Sequence, residues 1–338
     1  MSDRAAPFTD LIDLASERAG GAVLLANDEF FAPKEALLKA TAAEWREGEY
    51  TDRGKWMDGW ETRRRRTPGY DWCIVRLGIP GIVRGVVVDT SFFRGNYPES
   101  CSIDAATIED NLDPESIATT AEWFEILPRS PLEGDARNEL PVNVARPVTH
   151  LRLNIYPDGG VARLRVYGEG VFEARRHYPG SEIDLAAAEN GGQVLLCSDM
   201  FYGHRHNLIM PGRSTFMGDG WETRRRRGPG HDWSIVKLAT RGMLHRVEVD
   251  TDHFKGNAPG RCMVEVADAP SVPNVDVQTL AGRVGAWRVL LHETPLQPHA
   301  RHRFTELEAP SPATHARLNI YPDGGIARLR LYGMPAGE

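Results

Sequence analysis

Apolar and polar residues alternate with a period of two over several short stretches of the chain. Leu151-Arg152-Leu153-Asn154-Ile155 is one such stretch. Ala162, Leu164 and Val166, interleaved with Arg163, Arg165 and Tyr167, form another. Successive side chains of a strand point to opposite faces, so this pattern predicts half-buried β-strands. Pro157-Asp158-Gly159-Gly160 lies between the two, with glycine available for backbone of positive φ, and predicts that they form a β-hairpin. Asn319 to Tyr332 predicts the same hairpin again. Trp72 to Leu77 and Val86 to Val88 read as two more strands, and Val23 to Leu25 and Trp123 to Leu127 add others. Helical periodicity is short, with Lys34 to Ala43 the best stretch. The 33 glycines and 23 prolines fit many turns better than long helices. The expected unit is an antiparallel β-sandwich with functional loops at its ends.

That unit is written twice. Residues 60–101 align with 221–262 without a gap, 24 of 42 positions being identical. Residues 149–168 align with 314–333 at 17 of 20, and 14–38 with 185–209 at 10 of 25. The offset between copies moves from 171 to 161 to 165, so loops differ in length while the order of the core is kept. A period near 165 is domain-sized, which excludes a solenoid. The expected division is a first repeat at 1–168, a linker at 169–184 and a second repeat at 185–338.

Composition narrows the function classes. With Lys+Arg 40 against Asp+Glu 47 the net charge is −7, which argues against a general binder of nucleic acid or anionic membrane. No apolar run approaches the roughly 18 residues of a transmembrane helix. Met1 to Asp10 carries no cationic segment followed by an apolar one, so no secretory signal is expected. Cys73, Cys101, Cys197 and Cys262 form no C-x-x-C pair. Structural zinc and a disulfide framework are not expected, and the cytoplasm is the default location.

Chemistry concentrates in a few strings. Each copy holds W-E-T-R-R-R-R, Trp60 to Arg66 and Trp221 to Arg227. In an extended chain Glu61, Arg63 and Arg65 share one face, as do Glu222, Arg224 and Arg226. Paired guanidiniums beside a carboxylate suit a small anionic substrate, and the plainer reading is an inter-strand ion-pair ladder. Asp58-Gly59 and Asp219-Gly220 read chiefly as tight turns. Asp71 and Asp232 open the next strand, and Asp89 and Asp250 end a Val-rich one before x-x-F-x-G-N. The copies differ where Tyr70 becomes His231 and Ser91-Phe92 becomes Asp252-His253. Histidine transfers protons readily near neutral pH, so the second copy carries more candidate site chemistry. His204-x-His206 with Asp199 would share a face on a strand and leaves a divalent metal open, although no cofactor is required by any motif.

Two strings carry a family resemblance. Gly218 to Trp233 followed by Val249 to Pro259, and L-N-I-Y-P-D-G-G-x-A-R-L in both halves, resemble allantoicase over essentially the whole chain. The resemblance implies an all-β tandem of two jelly-roll sandwiches, galactose-binding-like, in a homo-oligomer. It implies hydrolysis of allantoate to ureidoglycolate and urea in purine breakdown. Allantoate places one carboxylate and two ureido groups on a single carbon. The reaction therefore needs a cation for the carboxylate, an acid for the departing urea and a base for water. Our residue reading gives Arg224 and Arg226 the carboxylate. It gives His231 proton transfer with Asp232 or Glu222 as partner, and makes His253 the alternative acid. It assigns Asp250 and Asn257 to the ureido groups. Glu61, Arg63 and Arg65 would then build a domain interface. The rival readings are a non-catalytic carbohydrate-binding tandem, a scaffold protein, and a hydrolase of ureidoglycolate.

Overall fold

The structure, a computed structural model, describes residues 7–108, 112–174, 177–178, 180–269, 277–282, 286–309 and 311–336. It divides into two compact units, residues 1–169 and 170–338. The segment expected as a linker is thus shared between them. The strand Arg163–Gly170 closes the first unit, and Ile183–Asp184 is already a strand of the second.

Each unit is organised by one long strand, Asp71–Asp89 in the first and Asp232–Asp250 in the second, 19 residues each. The two strands expected at Trp72–Leu77 and Val86–Val88 are one. In the second unit its first half pairs with Gln193–Cys197 on one side and Ala313–Tyr321 on the other. Its second half pairs with Arg301–Phe304 and with Arg328–Pro335. The change of partners falls at Gly242, where pairing with Ala313 ends and pairing with Pro335 begins. The first unit repeats this plan. There the strands Ala22–Ala26 and Val148–Tyr156 flank the first half, Arg137–Pro141 lies against the second, and Arg163–Gly170 is also a neighbour. One strand therefore belongs to both layers of a sandwich. Ser100–Ala106 and Phe124–Pro131 extend one layer and Ile12–Asp13 the other.

This topology corrects the hairpin. Val148–Tyr156 and Arg163–Gly170 do not pair with each other; each pairs with a different half of the long strand. The Pro-Asp-Gly-Gly turn instead carries the chain from one sheet to the other. The alternation predicted the inward faces correctly, because Leu151, Leu153, Ile155, Leu164 and Val166 are all fully buried. Alternation specifies a face, and a strand in either layer satisfies it.

The helix expected at Lys34–Ala43 is a short 3₁₀ turn, Lys34–Leu38, which packs Ala36, Leu37 and Leu38 inward. A true helix lies at Pro114–Thr120, where Asp113 caps the Ser116 N–H and proline takes the first position. Among the described residues no helix is long and apolar enough to cross a membrane. Cys73, Cys101 and Cys262 are buried free thiols. Burial pushes the Cys101 and Cys262 thiols up to about 12.

Two buried histidines give the fold a pH signature. His150 and His315 occupy equivalent positions beside a threonine hydroxyl, and burial pulls each down to about 4 from 6.5. Between these values the unfolded chain binds protons that the folded chain refuses, so their contribution to stability falls as pH drops. Asp184, pushed up to about 6 by burial, acts in the opposite sense. The test is therefore a difference. Melting temperature should fall less steeply from pH 6.5 to 4 in the His150→Asn, His315→Asn double variant than in the parent.

Candidate active site

The arginine runs are not strands. Trp60–Glu61 and Trp221–Glu222 are two-residue strands, paired with Gly160–Val161 and Gly325–Ile326, and the arginines follow in open chain. The alternate-face pattern nevertheless persists. The first and third arginines of each run meet carboxylates, while Arg64, Arg66, Arg225 and Arg227 are exposed. Arg63 Nε donates to Asp28 at 2.7 Å and Arg65 Nη1 to Asp71 at 2.6 Å. Arg224 Nε donates to Asp199 at 2.9 Å, and Arg226 pairs with Asp232. The clamp expected of Arg224 and Arg226 is thus occupied by the chain's own carboxylates. The Asp28 and Asp199 carboxyls are held below their usual range; burial works against this, and the Arg63 and Arg224 backbone N–H groups lead the groups that outweigh it.

The remaining second-repeat residues have separate partners. His231 Nε2 lies 3.0 Å from Asn319 Oδ1 and its ring packs on Tyr321. Asp232, its neighbour in sequence, is buried and accepts from Arg226 and Ser198, so it does not orient the His231 imidazole. His253 Nε2 meets the Ser214 carbonyl at 3.1 Å. Asp250 is buried and accepts the Asp252 N–H, closing a turn. His204 caps the 3₁₀ turn Arg205–Ile209, so the His204-x-His206 pair is not on a strand. Asp199 is engaged by Arg224 and the Phe201 N–H. Among the described residues no group of three or more His, Cys, Asp or Glu could hold a metal ion. Two of the expected site residues, given separate roles above, are brought together: Asn257 Nδ2 donates to Glu222 Oε1 at 2.6 Å.

The same pair in the first repeat opens onto a cavity. Asn96 Nδ2 donates to Glu61 Oε1 at 2.7 Å. Both line a space of about 570 Å³ together with Phe31, Trp45, Lys55, Met57, Phe92 and Arg94. Burial pushes the Glu61 carboxyl up, opposed by the Asn96 hydrogen bond. Such a carboxyl keeps its proton to higher pH than an ordinary glutamate. The pair is seated by the Pro-Asp-Gly-Gly turn. Gly160 N–H donates to the Asn96 carbonyl at 2.7 Å, and a Cβ on Gly160 would lie 2.0 Å from the Phe93 ring. Phe92 adopts φ 70, a strained region for an aromatic residue, with its N–H held by Asp135.

The far wall comes from a loop that the second repeat lacks. Nineteen residues, 39–57, join Leu38 to Asp58, where nine, 210–218, join Ile209 to Asp219. This is the shift of offset from 171 to 161. Asp58 and Arg163 pin the loop at both ends. The Arg163 guanidinium, 1% exposed, donates to the Thr41, Ala42 and Asp58 carbonyls and to the Asp58 carboxylate at 2.5 Å. Asp58 also accepts from Lys39 and from the Glu44 N–H. Trp45 and Met57 therefore each sit one residue from an anchor. Sequence reading gave Asp58 and Asp219 a turn role, and the structure shows each paired with a buried arginine, Asp219 with Arg328 at 3.2 Å. The cavity was missed because Trp45, Lys55 and Met57 lie in a segment without periodicity.

These features define a class: a tandem β-sandwich protein whose first repeat carries an acid-bearing cavity of small-molecule size. A family model described as the allantoicase repeat matches residues 12–171 and 183–336. A probable allantoicase of Pseudomonas aeruginosa is 48% identical over 99% of both chains. A probable allantoicase of Burkholderia mallei is 48% identical over 98% of both. The crystal structure of Saccharomyces cerevisiae allantoicase superimposes with a TM-score of 0.77 at 34% identity, covering 95% of this chain and 92% of that one. The chain belongs to the allantoicase family, hydrolases that act on linear amidines.

One exchange between repeats leaves a measurable mark. Asn319 Oδ1 has His231 Nε2 as partner, whereas the equivalent Asn154 Oδ1, where Tyr70 replaces the histidine, is buried without one. The Asn154 amide nitrogen is already used by Ser102 and Asp104, so turning the amide over offers no relief. Tyr70→His should supply the missing donor and raise stability by about 1 kcal/mol in urea denaturation.

Proposed function

We propose that the chain hydrolyses allantoate to ureidoglycolate and urea, and that the reaction takes place in the first-repeat cavity with Glu61 as the proton-transfer group. The observation that carries this reading is a glutamate, hydrogen-bonded to Asn96 and with its carboxyl pushed up by burial, facing a space large enough for a small substrate. The scissile bond joins the central carbon to a ureido nitrogen. Protonated Glu61 gives its proton to that nitrogen as the bond breaks, and urea leaves neutral. The remaining ureido nitrogen supplies electrons to the carbon. The glutamate, now a carboxylate, takes a proton from the attacking water, whose oxygen bonds to the carbon. Asn96 fixes Oε1 and leaves the other oxygen for this exchange. Trp45, Phe92 and Phe31 give the cavity an aromatic lining. The buried free thiols of Cys73, Cys101 and Cys262 suit a reducing, cytoplasmic setting.

The twin pair, Glu222 with Asn257, makes a second centre in the other repeat the alternative reading. A paired substitution separates the two. With Glu61→Gln, urea release from allantoate should fall by about 10²–10⁴, while Glu222→Gln should stay within a few-fold of the parent. The reverse ranking would move the chemistry to the second repeat. Because Glu61 acts first as an acid, kcat/KM should decline as pH rises through its raised pKa, and Glu61→Gln should lose that limb.

A further inference from the structure

Lys55 stands apart from the other cations near the cavity. Lys39 pairs with Asp58, Arg63 with Asp28, Arg65 with Asp71 and Arg94 with Asp135. Lys55 lines the cavity with Glu61 and Asn96, yet it has no carboxylate partner among the described residues. Its Nζ sits 4.0 Å from the centroid of the Trp45 ring, which itself packs on Phe92. An ammonium held on an aromatic face is oriented without being neutralised. It therefore keeps its charge for an anion entering the cavity.

The second repeat lacks this device. Its nine-residue loop contains one cation, Arg213, which is paired with Asp252 at 3.2 Å. No lysine or tryptophan stands in residues 210–218, and Met217 places its sulfur 3.3 Å from Asn257 Nδ2. The Glu–Asn pair is common to both repeats; the lysine held on a tryptophan face belongs to the first.

We propose that Lys55 binds the substrate carboxylate and that the 39–57 loop thereby sets the charge class of ligand, a small anionic ureide. This rests on reading the cavity as the site of urea release, and it adds what that reading leaves open, the group that distinguishes an anionic ureide from a neutral one. Allantoate would lie with its carboxylate toward Lys55 and its scissile nitrogen toward Glu61.

The test compares allantoate with a neutral diureide, a methylene carbon bearing two ureido groups and no carboxylate. Binding of both is measured by calorimetry, and urea release from allantoate by kinetics, for the parent, Lys55→Met and Lys55→Arg. Lys55→Met should weaken allantoate binding and raise KM at least tenfold, leave kcat within about threefold, and leave neutral-diureide affinity unchanged. Lys55→Arg should recover most of the loss. Unchanged allantoate affinity overturns the assignment, as does equal weakening of both ligands, which would mean that the lysine only packs. A parent protein that releases no urea, combined with selective loss of allantoate binding in Lys55→Met, would defeat the catalytic reading and keep the lysine.

Discussion

A buried guanidinium must find both a counter-charge and enough acceptors, because moving it from water costs several kcal/mol unless every donor is used. In the first repeat that demand is met by an aspartate and by loop carbonyls; in the second the same groups meet both Nη atoms of Arg328, while its buried Nε has no hydrogen-bond partner. Arg163 reaches from its strand to Asp58, Thr41 and Ala42, and Arg328 to Asp219 and Asn207. The loop is therefore fixed by the electrostatics of the strand beneath it. Burial raises the Asp58 carboxyl, and its hydrogen bonds from Arg163, Lys39 and the Glu44 N–H bring it below its usual range. The Trp45 wall of the cavity depends on that balance.

The duplication lets one half of the molecule serve as a comparison for the other. Paired arginines, glycine-seated turn and Glu–Asn pair are all present twice. The differences next to the site include a loop ten residues shorter, a histidine for Phe92 and a histidine for Tyr70. In the first repeat the longer loop also covers aromatic surface. Arg53 lies over the Phe30 ring and a Cβ on Gly54 would lie 3.6 Å from the Phe31 ring, while their counterparts Phe201 and Tyr202 are 62% and 65% exposed. The same Glu–Asn pair thereby stands beside a nineteen-residue loop in one repeat and a nine-residue loop in the other.

Much of the fold was legible because burial leaves a period in the sequence. The core positions of Val148–Tyr156 and the domain-sized repeat are direct consequences of that period. The partner of a strand is not, since alternation fixes which face is buried and leaves the choice of layer to the connections. Pro114–Thr120 carried a readable start, an aspartate, a proline and a glutamate in succession, although its shortness concealed it. At the site, residue types were easier to read than groupings. Asp28 is 35 positions from Arg63, and no local rule joins them. The histidines of the second repeat drew attention by their chemistry, but their partners, Asn319 and the Ser214 carbonyl, show what holds them. The loop that encloses the cavity left only an arithmetic trace, a jump in the alignment offset.

The shared 19-residue strand has a consequence for how each unit comes apart. In an ordinary sandwich one sheet can fray while the other persists. Here a slip of one residue in the first half of Asp71–Asp89 would carry the second half with it and turn the buried side chains of both layers outward. The two sheets of a unit are therefore bound into a single cooperative block. Their amide protons should open to exchange together, at one common free energy, even though they lie on opposite sides of the core.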